Sequence, residues 1–232
     1  MDMLDSLALI FAPGGPRMTA IALSMKSSFL AAAISLLIGL ASAWFINRSG
    51  RRRLSFVDAL FTLPLVLPPT VIGYYLILLL GKQGLLGGWL SGMGVSLVFS
   101  PAGVIIAATV VVFPLTYTSC KAALAGVDHN LEKAARTLGA TEWKVFWRIS
   151  LPLARRGILA GVLLSFARGM GEFGATMMLA GNIPGRTQTL AVAIYADFQG
   201  GHDTQATILA LTASVICAVI LVSANLLFCP KT

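Results

Sequence analysis

The chain has 232 residues, 57% hydrophobic and 11% charged, with a mean hydropathy of +0.85, whereas soluble domains carry about 25% charged residues. No soluble core of this size hides several apolar runs of roughly 20 residues, the length that crosses a bilayer, so a soluble globular protein is excluded and the lipid bilayer is the solvent. The net charge of +8 would point to nucleic acid in a soluble chain; in a membrane protein basic residues first report orientation, and no nucleic-acid partner is expected.

The first residues lack a basic n-region, and their apolar segment LALIFA is short and followed by PGGP. This resembles neither a cleavable signal nor a full span, and an interfacial helix is expected. Five runs are long enough to cross, at about residues 20–46, 57–80, 96–118, 157–180 and 205–228. The fold class is therefore all-α: a polytopic membrane protein forming one transmembrane domain over residues 1–232, without internal repeat or linker.

In the second run, Pro64, Pro68 and Pro69 each remove a backbone donor, as Pro114 does in the third. Broken helices are tolerated at membrane depth where they are buried in protein or line an aqueous cavity. The stretch LPLVLPPT, ending at Thr70, is thus a candidate path-lining or gate segment, with a simple packing kink as the alternative. An oxyanion could be held by backbone donors, helix ends and hydroxyls such as Thr62, Thr70, Ser165 and Thr176.

Between the third and fourth runs lies DHNLEKAARTLGATEWKVFWRISLPLARR, residues 128–156. Leu131, Ala134, Ala135 and Leu138 repeat at helical spacing and draw one apolar stripe, with Lys133 and Arg136 off it. Asp128 can cap the helix start and Glu132 sits in its first turn, where carboxylates are favoured. Gly139 supplies the left-handed conformation that ends a helix, and Thr141 can cap a second short helix presenting Trp143, Phe146 and Trp147, stopped by Pro152. Two short helices with a bend suit a knob entering a groove on another protein. They also suit helices lying among lipid headgroups with Trp anchors, and the residues alone do not separate the two.

The fourth run contains Gly169, Gly171 and Gly174 in the spacing G-x-G-x-x-G. A dinucleotide site would need a preceding strand, which is lacking. On a continuous helix Ala167, Gly171 and Ala175 share one face, as do Gly157 and Gly161, so neighbouring backbones could approach closely. Arg168 and Glu172 stand four apart, and an intramembrane charge needs a partner or an aqueous cavity. They either pair to fix helix register or line and gate an ion path.

Placing the N-terminus outside puts Arg48, Arg51, Arg52, Arg53, Lys121, Lys133, Arg136, Lys144, Arg148, Arg155, Arg156 and Lys231 in the cytoplasm. Only Arg17, Lys82 and Arg186 fall outside, and the five spans then leave the C-terminus in the cytoplasm. Cys120, Cys217 and Cys229 are far apart, so packing cysteines are expected. No nucleophile with a base, no metal-ligand spacing and no Walker motif is present, so neither ATP hydrolysis nor a bound cofactor or metal is expected of this chain.

The segment EKAARTLGATEWKVFWRISLP resembles the EAA loop of ABC importer permeases, matching at Glu132, Ala134, Ala135, Gly139, Ile149, Leu151 and Pro152, with Lys133 a departure from a strict E-A-A. ARGMGEFGAT followed by GNIPGRTQTL is similar to the sulfate and molybdate permeases, and LPLVLPPTVIGYYLILLLGKQGLLG resembles the molybdate branch. These stretches cover about half of the chain in matching order. The resemblance implies a type I ABC importer permease fold at the bacterial inner membrane, with a coupling helix that docks on the ATPase through Glu132, Ala134, Ala135, Leu138 and Gly139. It also implies a homodimer with two cytoplasmic ATP-binding subunits and an external molybdate-binding protein, received on outer loops near residues 82–95 and 182–203, with Arg186 and Lys82 as charge partners. Alternatives are a permease for tungstate or sulfate, or a non-ABC channel or membrane enzyme.

Overall fold

Helix α1 (Pro16–Ser49) begins a bundle in which every regular element among the described residues is helical. The computed structural model describes residues 15–49 and 54–228; LALIFA, Arg51, Arg52, Arg53, Cys229 and Lys231 lie outside them. The chain continues through α2 (Leu54–Val66), α3 (Pro69–Leu80), α4 (Leu85–Gly92) and α5 (Pro101–Ala125). After these come α6 (His129–Thr137), α7 (Glu142–Met170), α8 (Gly174–Ala180), α9 (Leu190–Gln199) and α10 (Asp203–Phe228). Four helices, α1, α5, α7 and α10, are long and apolar enough to cross a membrane, and the bent pair α2 and α3 makes a fifth.

Helix boundaries differ in places from those the local sequence implies. The third span starts at Pro101 because Ser100 caps α5, accepting a hydrogen bond from the Gly103 N–H at 3.2 Å with proline at the first helical position. Pro114 lies inside α5 without breaking it. Pro152 likewise fails to stop the helix after Thr141: residues Phe146–Ser150 form a π-turn, and the Leu151 N–H bonds back to the Phe146 carbonyl. A proline strains the carbonyl four residues before it, here Arg148, and the wider turn at that carbonyl accommodates the ring. The second short helix is therefore the first turn of α7, which runs on unbroken for 29 residues.

The fourth run, expected at about 157–180, is divided instead. α7 ends at Met170 and α8 starts anew at Gly174, so Ala167, Gly171 and Ala175 do not share a helical face. Two glycines weaken the helix there, and a side chain captures the next free backbone donor, as described below.

The centre of the bundle is α1 against α5 and α7. Ala43, Tyr117, Cys120, Leu124, Phe146, Ala154 and Ile158 form the core at one end, and Ala20, Ile21, Met170, Leu190, Ala193 and Leu209 at the other. Small residues permit the approach. A Cβ on Gly157 would stand 2.8 Å from that of Ala123, and one on Gly161 would overlap the Ser119 side chain. Thr116 donates to the Ser165 hydroxyl at 2.7 Å across the same seam. Gly157→Ala is expected to lower the stability of the chain by about 1–3 kcal/mol through overpacking, read as a drop in the thermal unfolding midpoint of the detergent-solubilised protein.

Candidate functional site

The hairpin at residues 128–142 buries no side chain of α6 in the bundle. The Asp128 carboxylate caps α6 by accepting from the Asn130 N–H at 2.8 Å. Gly139 takes φ +81° and closes the helix, with its N–H and that of Ala140 bonding back to the carbonyls of Arg136 and Ala135. No side chain of α6 is buried: Leu131 is 49% and Leu138 87% exposed, Ala134 is exposed, and Ala135 is partly covered. The apolar stripe thus faces away from its own chain. Thr141 occupies the cap position of α7 but its side chain makes no capping hydrogen bond. Phe146 turns into the core beside Trp44, while Trp143 and Trp147 stay exposed and stack edge-on against each other.

Glu132 behaves differently from the stripe-forming residues of α6. Its side chain is only 15% exposed and accepts from Ser150 Oγ at 2.6 Å and from Arg136 Nη2 at 3.2 Å. Burial pushes its carboxyl up, but the hydrogen bonds from Ser150 and Arg136 outweigh burial and hold it below the ordinary glutamate value. Arg136 also donates to Glu142, which pairs with Arg48 at 2.7 Å.

At the other end of α7 two helix breaks meet. Pro68 is extended at φ −56°, ψ 135°, the conformation that a following proline imposes, and α2 turns into α3 through 114°. Pro68 and Pro69 make this break; Pro64 stays inside α2 and faces an apolar cleft with Ile38, Phe61 and Phe113. Opposite, Glu172 is 2% exposed: Oε1 accepts from the Ala175 N–H at 2.9 Å, starting α8, and Oε2 accepts from Arg168 Nη1 at 3.1 Å. The breaks touch, since a Cβ on Gly174 would lie 3.0 Å from Pro69 Cβ and 3.1 Å from Thr70 N. One turn on, a Cβ on Gly73 would stand 2.9 Å from Ala175 Cα. Pro68, Pro69, Thr70, Glu172 and, through its ion pair, Arg168 are thereby gathered, with Pro64 apart.

Of the four hydroxyls considered for an oxyanion, Thr70 alone is exposed at the break. Thr62 bonds to its own helix, Ser165 to Thr116, and Thr176 is buried. Sequence reasoning missed two clusters. One is the Ser150 contact to Glu132. The other is Asp58 of α2, which accepts from Tyr117 Oη at 2.5 Å and Lys121 Nζ at 2.7 Å of α5. A lone acidic residue early in an apolar run was the available signal for Asp58.

A family described as the binding-protein-dependent transport system inner membrane component matches residues 18–228. The chain belongs to this family. It is a multi-pass inner-membrane transport subunit rather than an enzyme. The molybdenum transport system permease protein ModB of Escherichia coli (strain K12) is 42% identical over 211 residues, 90% of this chain and 92% of that one. ModB of Mycobacterium tuberculosis is 38% identical, over 92% of this chain and 80% of its own. The sulfate transport system permease protein CysW of Synechocystis is 34% identical, over 88% and 72%. Among solved structures, the inward-facing MetNI methionine ABC transporter aligns with a TM-score of 0.73 at 15% identity, over 98% of each chain. A bacterial alginate ABC transporter in complex with an alginate pentasaccharide-bound periplasmic protein aligns with a TM-score of 0.74 at 18% identity, over 94% and 80%. The transport subunit therefore has the type I importer permease fold.

Proposed function

We propose that this chain is the membrane-spanning permease of an ATP-driven molybdate importer. Two copies enclose one anion path, two separate ATP-binding subunits grip the α6 hairpins from the cytoplasm, and an external molybdate-binding protein delivers the anion. The observation that carries this reading is the 42% identity to a molybdenum permease over nine-tenths of both chains. The Lys and Arg bias supports an outer N-terminus and a cytoplasmic C-terminus. Residues 82–95 and 182–203, which include α4 and α9, then form the outer surface for the binding protein, with Lys82 and Arg186 exposed upon it.

The geometry supplies a route for coupling. Residues Glu132, Ala134, Ala135, Leu138 and Gly139 couple to the ATPase, with Leu131 exposed on the same helix, and closure of two ATPase subunits displaces both hairpins. α7 transmits that displacement as a rod of 29 residues, about 43 Å at 1.5 Å per residue. Its far end carries Arg168 and leads to Glu172, which is packed beside the break at Pro68, Pro69 and Thr70. Movement of these residues would gate or line the path, alternating access between two states biased by nucleotide. A sulfate or tungstate permease is the second reading, favoured by the 34% identity to CysW.

Purification of the assembled complex tests the reading. We expect a co-purifying ATP-binding subunit whose hydrolysis rises with molybdate and its binding protein. Stimulation by sulfate or tungstate alone reassigns the cargo; anion movement by this chain with no ATPase refutes the proposal.

A further inference from the structure

The α6 hairpin has no buried side chain to hold it against its own chain, yet it must pass a displacement to α7. A cleft of about 190 Å³ separates the end of α1, α6 and the start of α7, lined by Trp44, Arg48, Glu132, Arg136, Glu142 and Ser150. Five polar links cross or border it, one of them the pair of Arg136 with Glu132 inside α6. The pairs Arg48 with Glu142 and Arg136 with Glu142 join side chains that are all more than a third exposed, and such surface pairs are individually weak. His129 meets Glu132 only at 3.5 Å and is itself largely exposed. The link from Ser150 Oγ to Glu132 Oε1 is different: it is 2.6 Å long, Ser150 is 4% exposed, and the acceptor is a tucked-in carboxylate. Hydrogen bonds to charged groups are the stronger class, and desolvation strengthens them further.

The π-turn explains how Ser150 reaches that position. Phe146 and Ala154 both enter the core of the bundle, and Ser150 lies between them at the close of the Phe146–Ser150 turn. A π-turn carries an extra residue relative to an α-turn, and each helical residue rotates the direction of a side chain by about 100°. Without the turn, the residue presented to α6 would be displaced by that amount. The wide turn therefore serves two ends, seating Phe146 in the core while aiming the Ser150 hydroxyl at the docking helix.

We propose that Ser150 is a positioning residue for coupling: its hydroxyl, held by the π-turn, bonds Glu132 and fixes the register of the docking helix on the transmembrane rod. Glu132 then acts within its own chain, rather than as a contact surface for the ATPase. This rests on the coupling role proposed above.

The test uses the complete complex in proteoliposomes, with uptake of radiolabelled molybdate and ATP hydrolysis measured together. In Ser150→Ala, uptake per ATP is expected to fall about tenfold, the scale of one hydrogen bond to a charged group, while the ATPase still co-purifies. Ser150→Thr, which keeps the hydroxyl, should restore the ratio. Glu132→Ala combined with Ser150→Ala should cost no more than the worse single variant, because each removes the link between Ser150 and Glu132. Wild-type coupling in Ser150→Ala overturns the inference and leaves the permease reading intact, as do fully additive losses. Loss of ATPase co-purification in Glu132→Ala, with Ser150→Ala unaffected, places Glu132 on the ATPase instead. A wild-type complex that neither contains an ATPase nor couples hydrolysis to uptake removes the functional reading itself.

Discussion

Replacing Gly139 with valine is expected to abolish ATP-driven uptake while leaving the chain inserted in the membrane. The cause is the backbone rather than crowding, because a Cβ at Gly139 meets nothing within 4 Å while φ stands at +81°. A left-handed conformation costs an ordinary L-residue about 1–2 kcal/mol, and a β-branched one more. That amount would be absorbed in a packed core. Here it acts on a hairpin with no buried side chain in α6, an element whose local stability is small enough for such a cost to unfold its turn. Gly139→Asn is the control, since asparagine tolerates the left-handed region and should retain most of the uptake. Uptake and surface labelling measured on the same membranes decide the matter, and normal uptake by the valine variant would contradict the docking role.

Glu172→Ala should be the most damaging change at the other end of α7. It removes the acceptor that starts α8 and leaves the buried Ala175 N–H without a partner, a loss of about 1–3 kcal/mol. The charge left on Arg168 adds less, because that side chain is 43% exposed and water replaces its partner. Loosening α8 matters because Gly174 and Ala175 lie directly on Pro69, Thr70 and Gly73. Thermal unfolding of the complex should shift downward and uptake should fall about tenfold or more, the change that a few kcal/mol brings. Glu172→Gln separates the two readings of the Arg168 pair, as it keeps an oxygen for the Ala175 N–H but loses the charge. Unchanged unfolding with lost uptake assigns the charge to the path; recovery of both assigns the pair to structure.

Much of this was legible along the chain. The α6 stripe at Leu131, Ala134, Ala135 and Leu138, the cap at Asp128 and the turn at Gly139 depend on neighbours within four residues, and local chemistry decided them. The span count followed from hydropathy because the bilayer fixes the length of a crossing helix. Errors arose where tertiary packing overrode a local rule. Pro152 looked like a stop, but the π-turn before it absorbs the ring, with Phe146 and Ala154 anchored in the core on either side. The glycine run at 169–174 looked like one face of one helix. Burial of Glu172 against the Ala175 N–H, together with the fit of Gly174 on Pro69, split it in two.

The sequence by itself determined an all-helical membrane chain and an amphipathic hairpin closed by glycine, because hydropathy and backbone allowances are properties of single residues and short windows. Tertiary structure alone decided that two breaks far apart in the sequence lie against each other, that Ser150 meets Glu132, and that one unbroken helix joins the hairpin to the break. Those pairings depend on which helix faces pack at close range, and small residues such as Gly73 and Gly174 reveal their partners only when the partner backbone is in place.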